Sequence, residues 1–302
     1  MDRVTTRVTR PPLHELPGHL LWRAAARATR TAEEILPPGT DWHACTALIA
    51  LGETQPLSQR SLAEVIGVSA TTLTGLAGAL QDEGLMARVR NPADRRCYAL
   101  SRTAAGRDAV QRWQPALDRL EQTVTAPLGP SEARRLRELL HQVCVGLIAP
   151  TTPPVLLEST TFLLTRAHRR AHRDFRGLLA PLGLDPRDVG ALRCLRAAGS
   201  ASQSELAGLL DVSAATVVEI VDHLERAGLV TREADGDRRV HRLRLQPAAL
   251  PVLERCLTLS RRLLQDRLGG DGSPDRGDLV RLLGALLAET SVPGFAGQVG
   301  TR

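Results

Sequence analysis

The chain has 302 residues, 43% apolar and only 2% aromatic, with 39 basic against 33 acidic residues and a net charge of +6. That is length for about two domains at roughly 100–200 residues each, and enough apolar side chain to exclude disorder through most of it. Its five cysteines, Cys45, Cys97, Cys144, Cys194 and Cys256, show no Cys-x-x-Cys spacing, which argues against a zinc site and for reduced thiols.

The N-terminus lacks an apolar signal core and no run approaches ~18 apolar residues, so a cytoplasmic chain without membrane association is expected. Residues 1–17, punctuated by Pro11, Pro12 and Pro17, read as an arm. Leu20, Leu21, Ala24, Ala25, Ala28, Ala32 and Leu36 recur at helical spacing and predict a helix over 20–36, stopped by Pro37-Pro38-Gly39. A short helix over 42–51 follows, with Asp41 as its N-cap. Ser58 to Ile66 predicts the next helix and Gly67 a turn. Ser69 then caps a third helix that runs to Glu83 and is closed by Gly84. Helix, glycine turn and capped helix make a helix-turn-helix. Strands over 85–89 and 96–101, around Asn91-Pro92, predict a small hairpin or wing. Helices are predicted over 103–125 and 131–148, and Pro150-Thr151-Thr152-Pro153-Pro154 predicts a stiff, extended linker.

The same order then returns. A long helix rich in Arg and His is predicted over 156–182, a short one over 188–197, and a second helix-turn-helix over 203–210 and 213–227, with Asp211 in place of the glycine turn. A second wing follows over 229–233 and 239–245, then closing helices over 247–268 and 274–290. Ser58-Gln59, Leu62-Ala63, Val68-Ser69, Thr72, Leu80 and Gly84-Leu85 recur as Ser202-Gln203, Leu206-Ala207, Val212-Ser213, Thr216, Leu224 and Gly228-Leu229, at a constant offset: 202 − 58 = 144 and 229 − 85 = 144. Both copies run on to Asp-Arg-Arg, at Asp94-Arg95-Arg96 and Asp237-Arg238-Arg239, where the offset is 237 − 94 = 143. The expected fold is mainly α with small β-wings. It comprises two winged helix-turn-helix domains joined by a shared helical dimerisation-like core: a first repeat over 1–150, a linker over 151–154 and a second repeat over 155–302. Such a chain is a covalent pseudo-dimer, expected to be monomeric.

There is no glycine-rich phosphate loop, no Gly-x-Ser-x-Gly and no metal-ligand spacing. No catalytic residue, metal or cofactor is therefore expected, and the chain reads as something other than an enzyme. What the pattern offers is a surface for duplex DNA. A recognition helix needs small or polar side chains at its N-terminal end, so that its backbone can approach phosphates and base edges. Ser69, Thr71, Thr72 and Thr74 in the first copy, and Ser213 and Thr216 in the second, have that character; the serines also serve as N-caps. The basic charge, carried by arginine, clusters at the wings, where Arg90, Arg95, Arg96, Arg238 and Arg239 are candidate DNA contacts.

Through Leu62-Ala63, Ser69, Leu80, Gly84-Leu85, Asp94-Arg95-Arg96, Thr103 and Gly106, the first half resembles the MarR family of winged-helix transcription regulators. The second half resembles it through Leu206-Ala207, Ser213, Leu224, Gly228-Leu229, Asp237-Arg238-Arg239 and Leu243-Arg244-Leu245. The resemblance implies two protomers joined in one polypeptide. It implies a transcription regulator, a repressor in the usual case, whose grip on a DNA operator is released by a small-molecule effector. It places Arg95 and Arg238 where wing arginines enter the minor groove, a site of enhanced negative potential when narrow. The implied effector pocket lies between dimerisation helices and winged domain. Its candidate lining is Trp22, Arg23, Trp42 and His43 in the first half, and Phe162, Arg166, His168 and Arg169 in the second.

The recognition helices depart from the family pattern. The first carries Gly75 and Gly78-Ala79 where basic residues are usual, and the second carries Glu219 and Asp222-His223. Free of the identity that a homodimer imposes, the copies are expected to read an asymmetric or imperfectly palindromic operator. Two other readings remain at this level: a ligand-binding or sequestering protein with weakened DNA readout, and a thiol-based redox regulator working through Cys45.

Overall fold

A computed structural model describes residues 16–52, 56–90, 98–210, 212–234, 241–270 and 272–288. The first copy opens with α1 (Pro17–Ile35), α2 (Trp42–Ala50), α3 (Gln59–Ile66) and α4 (Ala70–Asp82). It continues through β1 (Met86–Arg90), β2 (Tyr98–Arg102), α5 (Ala104–Thr125) and α6 (Pro130–Cys144). After the short α7 (Pro154–Leu157) the second copy follows as α8 (Thr160–Leu179), α9 (Pro186–Ala198), α10 (Gln203–Leu210) and α11 (Ala214–Arg226). It ends with β3 (Val230–Ala234), β4 (His241–Leu245), α12 (Ala249–Arg262), α13 (Gln265–Leu268) and α14 (Pro274–Leu287). Among the described residues no single helix is long and apolar enough to cross a membrane.

Local chemistry sets most of these boundaries. Asp41 accepts hydrogen bonds from the His43 and Ala44 amides at 2.7 and 3.0 Å and starts α2. Ser58 starts α3 by accepting from the Ser61 amide at 3.0 Å. Ser69 and Ser213 start α4 and α11 by accepting from the Thr72 and Thr216 amides at 3.0 and 3.2 Å. Such caps satisfy amides that have no partner within the helix. Gly67 ends α3 at φ 73°, the left-handed region that a side chain enters only at a cost. Each wing is an antiparallel pair, registered Met86↔Arg102 and Val230↔Leu245. Each is widened by a bridge from the chain ahead of its helix-turn-helix, Leu57↔Leu100 and Ala201↔Leu243.

The two copies meet through α1, α6, α8 and α14, which pack together into one bundle. Its outer edge is ionic: Arg135 of α6 pairs with Asp275 and Asp278 of α14 at 2.5 and 3.1 Å, and Arg281 of α14 pairs with Glu132 of α6 at 2.6 Å. Glu121 of α5 accepts from the Thr160 amide at 2.9 Å and the Thr160 hydroxyl at 2.5 Å, and pairs with Arg137 at 3.2 Å. A carboxylate of the first copy thus sits at the positive N-terminal end of the second copy's longest helix.

Three features differ from the sequence expectation. The connector is compact rather than extended: turns close through Leu147 N to Cys144 O and Thr152 N to Ala149 O, and Pro154 begins a helix instead of ending the linker. The helix expected over 156–182 is interrupted at Glu158–Ser159, where Ser159 caps α8. The helix expected over 247–268 breaks between α12 and α13 at Leu264, which adopts φ 67° and is the one non-glycine residue at positive φ among the described residues. Arg276, buried, holds this break by donating to the Leu263 carbonyl at 2.8 Å.

The cores are unequal. The first winged domain and the shared bundle form one continuous apolar cluster, reaching from Leu20 through Leu62, Leu73 and Leu136 to Leu163 and Leu283. The second winged domain has a cluster of its own, built on Leu192, Leu206, Val217, Leu224 and Leu253. Phe175 of α8 packs against both.

Candidate functional site

The DNA-facing candidates divide into three groups. Ser69, Thr71, Thr72 and Thr74 are exposed at the start of α4. The Ser69 hydroxyl bonds Thr72 Oγ1 at 2.7 Å, and Thr74 Oγ1 donates to the Ala70 carbonyl at 2.9 Å. Ser213 is exposed and Thr216 half-buried at the start of α11, bonded through their hydroxyls at 2.9 Å. Arg90 is exposed on β1 with its guanidinium 4.9 Å from the Tyr98 ring centre, and Arg88 stacks on the same ring at 5.9 Å. Arg95, Arg96, Arg238 and Arg239 lie outside the described residues.

Charge is handled differently in the two helix-turn-helix units, the first reader (α3 and α4) and the second reader (α10 and α11). The acidic residues of α11 have neighbours in the second wing: Arg232 of β3 pairs with both Asp222 and Glu225. Asp222 thereby presents a partly neutralised carboxylate rather than a bare one. Arg244 pairs with Glu233 at 2.9 Å and Arg242 with Glu205 at 2.6 Å. The strand arginines of the second wing are engaged by carboxylates, whereas Arg88 and Arg90 of the first lie over an aromatic face. His223 is bonded to the buried Asp188 at 2.9 Å and ties α11 to α9.

The helices of the bundle cross over between halves. Gly18, His19 and Trp22 of α1, in the first copy, stand above the second helix-turn-helix. With His168, His172 and Phe175 of α8, Val189 and Arg193 of α9, Val212, Thr216 and Ile220 of the second reader, and Leu263 at the α12 break, they enclose a cavity of about 380 Å³. The lining is apolar with an aromatic end where the His19 and Trp22 rings lie 5.5 Å apart. Two arginines, Arg187 and Arg193, are among the lining residues, and Arg187 is paired with Asp185 at 3.4 Å. Arg193 is buried at 6% exposure. His168 is pushed down to about 4 by burial first, then by His172 and Arg169, so its imidazole is neutral near pH 7. Its Nδ1 is buried with no hydrogen-bond partner.

The corresponding place over the first reader is filled. There α8 contributes Arg166 and Arg169, at the positions of Trp22 and Ala25 in α1: 166 − 22 = 144 and 169 − 25 = 144. Arg169 donates to the Gly67 carbonyl at the turn of the helix-turn-helix, and its other arm lies 3.4 Å from His43 Nε2. Arg166, 7% exposed, donates to the Leu147 carbonyl and packs where a Gly67 side chain would be. Burial lowers the His43 pKa, Arg169 lowers it further and Asp41 opposes; the neutral ring can accept from the guanidinium. On the outer side of this reader lies a wider groove of about 890 Å³ between α3, α4 and the 146–150 connector.

Of the eight effector candidates, the structure brings Trp22 and His168 together in the cavity, although they belong to different halves. Arg166, Arg169 and His43 are engaged with the first reader instead. Trp42 and Phe162 are 3% and 2% exposed and belong to the core. Arg23 lines neither opening. Arg193, Phe175, His172 and His19 also line the cavity. A comparison of the two copies would have flagged Arg193, which falls on the apolar Ile49: 193 − 49 = 144. Cys45 is fully buried on α2, and burial pushes its thiol up to about 12; a thiolate sensor needs the opposite environment. Cys144 is likewise pushed up to about 12, and Cys194 and Cys256 to about 11.

The sequence profile of the MarR family matches this chain twice, at residues 42–98 and 184–241, one match on each winged domain. A curated relative from Thauera aromatica, named "Putative transcriptional regulatory protein for hcr operon", is 32% identical over 132 residues, 43% of this chain and 80% of the relative. Among solved structures, the transcriptional repressor CouR bound to a 23-mer DNA duplex is 32% identical with a TM-score of 0.39, across 42% of this chain and 92% of that one. Bordetella bronchiseptica BpsR, described with regulation of its DNA binding by 6-hydroxynicotinic acid, is 26% identical with a TM-score of 0.40, across 41% and 90%. The fold is that of a tandem pair of winged helix-turn-helix domains. The chain belongs to the MarR family of transcription regulators, with two copies of the family's domain in one polypeptide.

Proposed function

We propose that the chain grips a DNA operator through both readers as a repressor and is released when a small organic molecule enters the cavity between α1 and the second reader. The observation that carries this reading is the composition of the cavity wall. One side is the shared bundle, through Trp22, His168 and Phe175; the other is the recognition helix itself, through Thr216 and Ile220. A ligand that fits one spacing of these walls biases the angle at which α11 is presented, which is the differential affinity that any switch requires. The DNA contacts in this reading are the exposed starts of α4 and α11, Arg90, and the arginines Arg95, Arg96, Arg238 and Arg239. The unlike surfaces of α4 and α11 favour an operator with unlike half-sites.

Fluorescence anisotropy with duplex DNA from immediately upstream of the gene, at two salt concentrations, tests the first part. Affinity falls steeply with salt where phosphate contacts displace counterions. Arg95→Ala and Arg238→Ala each weaken binding by about 1–3 kcal/mol. Unchanged affinity in both variants refutes the wing contacts, and a site selection that returned a perfect palindrome refutes operator asymmetry.

A further inference from the structure

The effector reading treats the cavity under the second reader as a switch, yet the symmetry of a duplicated chain would supply two. The first such place is occupied by the chain's own side chains. Arg169 of α8 reaches the Gly67 carbonyl and His43, and Arg166 reaches the Leu147 carbonyl while packing against Gly67. Both guanidiniums therefore bind backbone or ring acceptors on the first reader and on the connector behind it. A second, independent feature agrees with this. The apolar core of the first reader is continuous with the bundle, whereas the second reader has a separate cluster joined to it by way of Phe175. Cores that are continuous transmit displacement as one body, while a separate cluster is free to rotate on its contact.

We infer that Arg166 and Arg169 form a built-in latch that holds the first reader to the bundle, so that one effector, not two, binds per chain and only the second reader moves. This rests on the reading of the cavity given above as an effector site. The first reader then serves as a fixed anchor and the second as the gated arm. The ligand class that fits the gated cavity is a flat aromatic molecule, able to lie beside Trp22 and Phe175.

Hydrogen exchange read by mass spectrometry on the full chain tests the latch without any ligand. Amides over 62–73 should exchange at least about tenfold more slowly than their counterparts over 206–217, reflecting rarer opening. The double variant Arg166→Met, Arg169→Met keeps the aliphatic stems; it should abolish that difference and leave 206–217 unchanged. Equal exchange of the two readers in the unaltered chain overturns the latch, and this comparison does not depend on any variant folding. Calorimetry with 8-anilinonaphthalene-1-sulfonate as the aromatic probe should give one equivalent per chain, with protection confined to 206–220. Two equivalents, or protection of both readers, overturn the single gate. No binding at all removes the effector reading and the gating that depends on it, while the exchange comparison still decides the latch.

Discussion

Acidification should destabilise this chain through one imidazole in the cavity wall. His168 ionises at about 4 in the folded chain, against 6.5 for the unperturbed ring, chiefly because burial disfavours the charged form. The unfolded chain therefore binds a proton that the folded chain refuses, and stability falls as pH drops below 6.5 and levels off below 4. The full difference is 6.5 − 4 = 2.5 pH units, or about 3 kcal/mol at 1.36 kcal/mol per unit. Between pH 7 and pH 5, where carboxylates are still largely ionised, about 2 kcal/mol of it is lost. His43, also lowered by burial, acts in the same direction. Urea unfolding at the two pH values, on the chain and on His168→Gln, isolates the contribution. The chain should lose about 2 kcal/mol more than the variant does. An identical loss in both, or an NMR titration placing the ring of His168 near 6.5, would refute the assignment of a neutral, desolvated imidazole at this site.

Four further outcomes are expected. Ser69→Ala and Ser213→Ala should each lower unfolding stability by about 1 kcal/mol through loss of the N-cap, measured by urea midpoint. Gly67→Ala should cost more, about 2 kcal/mol or above, because it adds left-handed strain to a collision with Arg166; Arg166→Ala in the same chain should recover the collision but not the strain. Cys45, Cys144, Cys194 and Cys256, with thiols raised to about 11–12, should resist iodoacetamide at pH 8 until the chain is unfolded, as mapped by mass spectrometry. Glu132→Gln should leave the urea midpoint close to that of the unaltered chain, and high salt should erase any remaining difference, since its pair with Arg281 lies at the surface.

The repeat, the caps and the wings were legible because they are local. Ser58, Ser69 and Ser213 each bond an amide three residues on, so spacing along the chain is enough to read them. The break at Leu263–Leu264 was not, because Leu257-Thr258-Leu259 through Leu268 contains neither glycine nor proline and continues a helical pattern. What bends it is Arg276, in a different helix, binding the Leu263 carbonyl. The cavity escaped for the same kind of reason. Half-by-half reading assigns Trp22 to the first reader, whereas α1 lies over the second; crossing of this kind is a property of packing between elements far apart in sequence. The divergence of the two crevices was present in the sequence as Arg166 over Trp22 and Arg193 over Ile49, and it becomes meaningful only once the fold shows what those positions face.

The connector from Cys144 to Ser159 has a consequence for dosage. Separate protomers must find one another before two readers act together, and at a few molecules per cell such pairs fall apart by mass action. Here Glu121 grips the start of α8 within the same molecule, so pairing is intramolecular and insensitive to dilution. It also keeps each half from exchanging with related subunits, so that even a scarce regulator of this build stays matched to its own other half.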